Sequence, residues 1–292
     1  MKPPPFEYTA PTTVAEAVGL LAQHELEAKI LAGGQSLMPL LNMRLARPSV
    51  LVDVARIPDL DYVREVDGGL AIGAMARQRS VELSDAVRAR HALVHAATMH
   101  IAHPQNRNQG TVGGSIAHAD PAAEYPALAL LLDAEVRVAG PAGERTIAAR
   151  DFFVTYLTTA LEPAEMLVEV RLPGLPAGTG WSIQELARRH GDFALAGVMA
   201  TMSLDGAGCC AAARLVLFGV GATPIRADAA EAMLRGAAPD AKTLAAAAAR
   251  AAADLEEPLT DVHATADYRR TLARVLARRA LAEAAARAGG SA

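Results

Sequence analysis

Two short segments of this chain, far apart in sequence, contain the residue types needed to bind an anion through the backbone. The first is Ala32-Gly33-Gly34-Gln35-Ser36 and the second is Thr111-Val112-Gly113-Gly114-Ser115. Glycine admits positive φ and lets a ligand approach the main chain closely, because it has no Cβ. Consecutive N–H groups in such turns hold phosphate oxygens. Either pair alone is more typical of an ordinary turn. Together they favour a diphosphate, and therefore a dinucleotide cofactor.

The first glycine segment is expected to lie between a strand and a short helix. The apolar run 28–31 predicts a buried strand, 37–41 predicts a helix, and 50–53 predicts another strand. Upstream, Thr13 and Glu16 have the spacing of a capping box, which predicts a helix that continues to Ala22. The segment lacks the G-x-G-x-x-G pattern of a Rossmann site and the lysine of a P-loop, so nucleotide hydrolysis is disfavoured.

The remaining elements are predicted from periodicity and turn residues. Alternation at 167–172 is typical of an edge or half-buried strand, and the Pro/Gly-rich stretch 173–180 is the best linker candidate. Two hairpins are indicated at 63–73 and 135–147. Further strands are predicted at 197–204 and 213–220, and helices at 92–101, 121–132, 226–235, 241–255 and 265–286.

Composition excludes several classes of function. The 292 residues contain 28 Lys plus Arg against 32 Asp plus Glu, a net charge of -4, and no long basic run, so nucleic-acid binding is not expected. No stretch is apolar enough for a membrane span, and the N-terminus has no signal-peptide pattern. The two cysteines, Cys209 and Cys210, are adjacent and cannot supply the four thiolates of an iron–sulfur cluster. We therefore expect a cytoplasmic protein.

Three further residues have chemistry that suits a dinucleotide. Glu124, in the first turn of helix 121–132, could accept hydrogen bonds from a ribose or ribityl hydroxyl, although an acid at this position also simply suits the helix dipole. Ile101 and Phe193 could contact a flat ring, or could belong to the core. No third ligand accompanies the histidine pairs of helix 92–101, and no G-x-S-x-G motif occurs, so neither a metal site nor a catalytic nucleophile is predicted.

Four motifs in the same order resemble those of one family. They are AGGQSLMPLL at 32–41, GTVGGS at 110–115 preceded by Arg107, HADPAAE at 118–124, and ARRHGDFA at 187–194. The chain resembles, over essentially its whole length, the FAD-binding medium subunits of molybdenum hydroxylases. Carbon monoxide dehydrogenase flavoprotein and the FAD domain of xanthine dehydrogenase are examples of this family.

The resemblance implies an α+β fold, with an FAD-binding region of the vanillyl-alcohol-oxidase (PCMH) type made of two α+β subdomains. The implied divisions are 1–55 and 56–175 for these subdomains. Residues 176–292 would then form a C-terminal domain with a small antiparallel sheet and helices, similar to that of carbon monoxide dehydrogenase flavoprotein.

The resemblance also implies a set of residues that contact FAD. Ile101 would lie against the isoalloxazine, Glu124 would bond a sugar hydroxyl, and Leu167 would give a main-chain or apolar contact. Gln184 stands where the xanthine dehydrogenases have lysine, so its side chain offers no charge. The full set is Ala32, Gly33, Gly34, Gln35, Ser36, Leu37, Ile101, Thr111, Val112, Gly113, Gly114, Ser115, Asp120, Glu124, Leu167, Gln184 and Phe193.

The implied activity is electron transfer within a larger oxidoreductase. A large partner would bind a molybdenum–pterin cofactor and oxidise the substrate, and a small partner would carry two iron–sulfur clusters. Electrons would pass through the FAD of this chain to an external acceptor, in a dimer of heterotrimers. Because related oxidases with covalent flavin have histidine where this chain has Gln35, the FAD is expected to be non-covalent. The alternative is a stand-alone flavin reductase or oxidase of the same fold, which would need its own acid or base over the flavin.

Overall fold

The computed structural model describes residues 1–290, which form an α+β structure with three main sheets. The strands are β1 Glu7–Thr9, β2 Ala28–Leu31, β3 Val50–Asp53, β4 Val63–Val66, β5 Gly69–Gly73, β6 Glu135–Gly140, β7 Gly143–Ala148, β8 Phe153–Thr155, β9 Thr158–Thr159, β10 Met166–Leu172, β11 Gly180–Ala187, β12 Ala194–Leu204, β13 Cys210–Phe218 and β14 Ile225–Arg226. The helices are α1 Val14–His24, α2 Leu37–Asn42, α3 Gln78–Leu83, α4 Asp85–Arg90, α5 Ala92–His100, α6 Pro104–Gln109, α7 Val112–His118, α8 Glu124–Leu131, α9 Ala149–Phe152, α10 Asp228–Leu234, α11 Ala241–Ala253 and α12 Ala266–Ala288. Single 3₁₀ turns occupy Glu25–Glu27 and Pro58–Leu60.

The N-terminal part is a small parallel sheet with strand order β1-β3-β2, packed against α1. Thr13 caps α1 by accepting a hydrogen bond from the Glu16 N–H, as the sequence predicted, and the helix continues to His24. The Glu16 carboxylate reaches back to the Thr12 N–H at 2.8 Å rather than to that of Thr13. The prediction that β2 is a buried strand was only partly right, because within β2 only Ala28 is buried.

The middle part is a five-stranded antiparallel sheet with strand order β4-β5-β10-β6-β7. Both predicted hairpins are present, β4–β5 and β6–β7. The expectation of an edge or half-buried strand at 167–172 was wrong: β10 lies at the centre of the sheet, and only Arg171 of its seven residues is exposed. The alternation of apolar and polar residues in β10 does not mark an exposed face, because helices cover one face of the middle sheet and the N-terminal sheet covers the other.

The C-terminal part is a four-stranded antiparallel sheet, β11-β12-β13-β14, between two layers of helices. On one face, alanine-rich α11 and α12 pack closely through small side chains such as Ala248 and Ala277. On the other face, Met199, Val216 and Phe218 join the core that contains α5 and α8. The third sheet therefore shares its core with the middle part of the chain, and this packing brings β11 against α5.

Candidate cofactor site

The loop between β2 and α2 presents five consecutive backbone N–H groups that bond to no acceptor within residues 1–290. They belong to Gly33, Gly34, Gln35, Ser36 and Leu37. Gly34 has a φ of 70°, and α2 begins with a bond from the Met38 N–H to the Gly34 carbonyl at 3.0 Å. Polar backbone groups that find no partner in the protein are available to a ligand. A curved row of N–H groups at a helix start is a nest that binds phosphate oxygens.

The second glycine segment does not repeat this arrangement. Its Val112 and Gly113 N–H groups each donate to a carbonyl of the segment after β5, on Ala76 and Ala74 respectively, at 3.0 Å. The Gly114 N–H donates to Thr111 Oγ1 at 3.0 Å, and the Ser115 N–H to the Thr111 carbonyl at 3.2 Å. The expectation of a second amide cradle was therefore wrong. Of the two hydroxyls in this segment, that of Ser115 is on a partly exposed residue, whereas Thr111 is buried and its oxygen caps α7.

The second glycine pair is required for close packing instead. A Cβ on Gly113 would lie 2.6 Å from the Ala74 Cα, and a Cβ on Gly114 would lie 2.7 Å from the Thr111 oxygen that caps α7. Real Cβ atoms do not approach other atoms this closely. The glycines thus allow α7 to start directly against the middle sheet.

The two loops are in contact. A Cβ on Gly33 would overlap the Gln109 carbonyl oxygen and lie 2.9 Å from the Gly110 Cα. A Cβ on Gly114 would come within 3.6 Å of the Ala32 Cβ. The sequence prediction that two remote segments form one site is consistent with this contact, although only one of them supplies free amides.

Arg107 fixes the residue predicted to face the flavin ring. Its buried guanidinium donates to the Ile101 carbonyl at 2.7 Å and to the Ala102 carbonyl at 3.3 Å. The same guanidinium forms an ion pair with buried Glu82, with Nε and Oε2 2.8 Å apart, and this pair holds the pKa of Glu82 below its usual value. Ile101 is therefore held at the end of α5 by a buried polar network. From the sequence, Arg107 was apparent only as a residue preceding the 110–115 motif.

Two buried carboxyl groups, those of Glu124 and Glu185, interact electrostatically beside α5. Glu124, the first residue of α8, has its pKa raised to about 8, mainly by burial and then by the charge of Glu185. Burial also raises the pKa of Glu185, on β11, to about 7. His100 Nδ1 lies 3.5 Å from Glu185 Oε2, and burial lowers the pKa of His100. Sequence reasoning missed Glu185 because β11 was not predicted as a strand.

These raised pKa values predict how the stability of the flavin-free chain changes with pH. In the folded chain both carboxyls keep a proton that the unfolded chain releases near the usual Glu value of 4.5. The contribution of the two carboxyls to the free energy of unfolding should therefore fall as the pH rises above 4.5 and through the folded pKa values of about 7 and about 8. Urea unfolding across this range checks the slope. The fall should be clearly smaller in Glu124→Gln, and an unchanged slope in that variant would contradict the assignment.

The structure does not bring all the predicted residues together. The Gln184 side chain donates to Glu283 of α12 at 2.8 Å, so it lies on the opposite face of β11 from Glu185. Leu167 is buried in the core cluster against which Ile101 packs, and Asp120 accepts from the Ala122 N–H at 2.8 Å. Phe193 is 71% exposed, so it is a surface side chain and not part of the core.

Comparison with known proteins agrees with this geometry. A family described as "FAD binding domain in molybdopterin dehydrogenase" matches residues 4–175, and one described as "CO dehydrogenase flavoprotein C-terminal domain" matches residues 181–284. The chain belongs to the FAD subunits of the molybdenum hydroxylases. It is the FAD-binding electron-transfer subunit of a multi-subunit molybdenum-containing oxidoreductase.

Relatives of this FAD subunit match over almost its full length. The carbon monoxide dehydrogenase medium chain of Hydrogenophaga pseudoflava is 42% identical, over 98% of this chain and 99% of the relative. The 6-hydroxypseudooxynicotine dehydrogenase complex subunit alpha of Paenarthrobacter nicotinovorans is 43% identical, over 99% and 97%. Among solved structures, carbon monoxide dehydrogenase from Hydrogenophaga pseudoflava superposes with a TM-score of 0.95 at 44% identity, covering 98% of this chain and 99% of that one. These matches confirm the family and the fold class expected from the sequence.

The described residues of the FAD subunit fit the cofactor. A row of unsatisfied amides suits a diphosphate, and buried carboxyls without a cationic partner suit hydroxyl donors. Within residues 1–290, no helix combines the length and the apolar character that crossing a bilayer requires.

Proposed function

We propose that this chain holds FAD non-covalently, with the diphosphate on the N–H groups of Gly33 to Leu37. The five unpaired amides carry this proposal. The hydroxyl of Ser115 would serve the same anion from the second loop, where Thr111 caps α7 and Val112, Gly113 and Gly114 provide the close approach rather than donors. Ala32 borders both loops, and the exposed Gln35 side chain has no nucleophilic atom for flavin attachment.

The other predicted contacts are proposed with roles that their positions support. Ile101, held by Arg107, would give the isoalloxazine an apolar surface, and Leu167 would support it from the core. Glu124 would accept from a sugar hydroxyl, with Asp120 beside it. Exposed Phe193 would cover the ring on binding. Gln184 would contribute through its backbone, because its side chain is bonded to Glu283.

FAD, when bound, supplies the redox chemistry that joins one-electron donors to one- or two-electron acceptors. The residues of this chain bind it, orient it and exclude water. Oxidation of the organic substrate would then occur elsewhere in the complex, and relatives named as a medium chain and as a subunit of a dehydrogenase complex support this.

We further propose that the chain works between a large molybdenum–pterin subunit and a small subunit with two iron–sulfur clusters, in a dimer of heterotrimers. Its thiols support this arrangement, because Cys209 and Cys210 are free and cannot bind a cluster alone. A reducing cytoplasm suits such free thiols. Co-expression with both partners should give a complex whose mass, measured by light scattering, equals two copies of each subunit. A single heterotrimer would contradict the stoichiometry.

We also propose the division into 1–55, 56–175 and 176–292. It is supported by the three sheets, each of which uses strands from only one of these segments.

The non-covalent attachment of FAD has a direct test. Acid precipitation of the purified yellow protein should leave the flavin absorbance in the supernatant, because Gln35 offers no atom for a flavin bond. Denaturing gel electrophoresis followed by in-gel fluorescence is the complementary measurement. Flavin that stays with the polypeptide in both experiments would contradict the proposal.

A further inference from the structure

The buried carboxyl groups of this chain fall into two kinds. Those on Glu82, Glu169 and Glu231 are each bonded to arginine: Arg107 reaches Glu82 at 2.8 Å, Arg137 reaches Glu169 at 2.9 Å, and Arg226 also contacts Glu231. These are structural ion pairs. Glu124 and Glu185 are bonded to no arginine. In the described part of the chain, neither carboxyl accepts a hydrogen bond from another side chain.

Glu185, unlike Glu124, was not among the site residues predicted from the sequence. Its side chain is 7% exposed, and its Oε2 is buried without a hydrogen-bond partner in residues 1–290. Leaving a buried acceptor unsatisfied is unfavourable, more so for a charged group. The imidazole of His100 lies 3.5 Å away, and burial lowers the pKa of His100, which disfavours its charged form. Within residues 1–290 this oxygen therefore has no hydrogen-bond donor, and the neighbouring imidazole is a poor source of compensating charge.

The surrounding charges do not neutralise the pair either. Asp120 adds to the negative potential at Glu124. Arg107 acts in the opposite direction on Glu124, but its guanidinium is bonded to Glu82 and to the Ile101 carbonyl. On the Glu185 side, His190 further disfavours a charge on His100. At neutral pH, two buried acids in this environment keep at least one proton between them in preference to both ionising.

We propose that Glu185 is a further cofactor-binding residue, which together with Glu124 forms a carboxyl pair that accepts hydrogen bonds from the sugar-alcohol hydroxyls of FAD. This inference rests on the proposed function. The site then has complementary ends, with amide donors of the 33–37 loop for the phosphates and carboxyl acceptors for the hydroxyls. Hydroxyl donors favour the ionised carboxylates, so FAD binding releases the proton that the empty pair holds at neutral pH.

Binding and stability measurements on the full-length chain separate this role from a structural one. Flavin is removed, and FAD is titrated back into wild type, Glu185→Gln and Glu185→Leu. The control is Glu283→Gln, because the Glu283 carboxylate lies on the opposite face of β11 from Glu185. Both Glu185 variants should bind FAD roughly tenfold more weakly, the scale of one hydrogen bond to a charged group. Without flavin, Glu185→Leu should melt at the same temperature as wild type or higher, because an unpaired buried acid has been removed. The control should bind FAD as wild type does.

Calorimetry of FAD binding in buffers with different ionisation enthalpies then counts the protons released. Wild type and Glu283→Gln should release protons at neutral pH, and Glu185→Gln should release clearly fewer. The inference is overturned if both Glu185 variants bind FAD as wild type does. It is also overturned if Glu185→Leu loses both stability and FAD affinity while Glu185→Gln releases as many protons as wild type. A wild-type chain that takes up no FAD would overturn the proposed function itself.

Discussion

Replacing Gly33 by alanine should weaken FAD binding, with an increase in Kd of at least about a hundredfold, equivalent to about 2.7 kcal/mol. The new methyl group would overlap the Gln109 carbonyl oxygen, which belongs to backbone and cannot move aside as a side-chain tip could. The two loops must then separate, and the amides of residues 33–37 lose their position relative to Thr111. Flavin absorbance of the purified variant and titration of FAD into it measure the effect.

Gly19→Ala is the matched control for this substitution. Gly19 lies in α1, and a Cβ there meets nothing within 4 Å. The control should bind FAD as wild type does and gain up to about 1 kcal/mol of stability from better helix propensity. Far-UV circular dichroism confirms that both variants are folded. A folded Gly33→Ala variant with wild-type affinity would contradict the contact between the loops.

Replacing Arg107 by methionine should destabilise the fold by about 3–5 kcal/mol, because Glu82 is left buried without its main partner. The Ile101 carbonyl loses its donor as well, so FAD affinity should fall with stability. Because the folded pKa of Glu82 is lowered, its contribution to stability is present above its usual value of 4.5 and is lost as the pH falls through the folded pKa. The wild type should therefore lose more stability on acidification than the variant does.

A double-mutant cycle isolates the Arg107–Glu82 interaction. Adding Glu82→Gln to Arg107→Met should recover part of the lost stability in urea unfolding, because the unpaired charge is removed. Arg88→Ala, which breaks an exposed pair with Asp85, should cost less than about 1 kcal/mol and serves as the surface control. Equal losses in the Arg88 and Arg107 variants would show that the buried network does not hold the site.

Much of this architecture could be predicted because local signals agree with the final packing. The helix cap at Thr13, both hairpins and the strands β2 and β3 follow from turn residues and short apolar runs. The predicted helix 121–132 begins later, at Glu124, because residues 119–123 form a turn in which Asp120 accepts from Ala122 N–H. The positions of both glycine loops were also apparent, since few other residue types allow such close backbone approach.

The sequence could not distinguish the two glycine pairs from each other. Whether an N–H is free depends on which segment packs against it, and Ala74 and Ala76 lie 39 and 37 residues before Gly113. Glu185 was missed for a related reason. Once β11 is recognised, strict alternation places Ile183 and Glu185 on the face opposite Gln184. Gln184 was predicted only from its alignment with a lysine of the xanthine dehydrogenases, which says nothing about the face of β11 on which its neighbour lies.

Hydrogen exchange at individual backbone amides, measured with and without FAD, tests most directly the claim that one loop grips the cofactor. The amides of residues 33–37 should exchange rapidly in the flavin-free chain and become protected when FAD binds. The amides of Val112 to Ser115 should be protected in both states, because protein acceptors already hold them. Protection that appears on FAD binding at 112–115 while 33–37 stay unprotected would contradict the account.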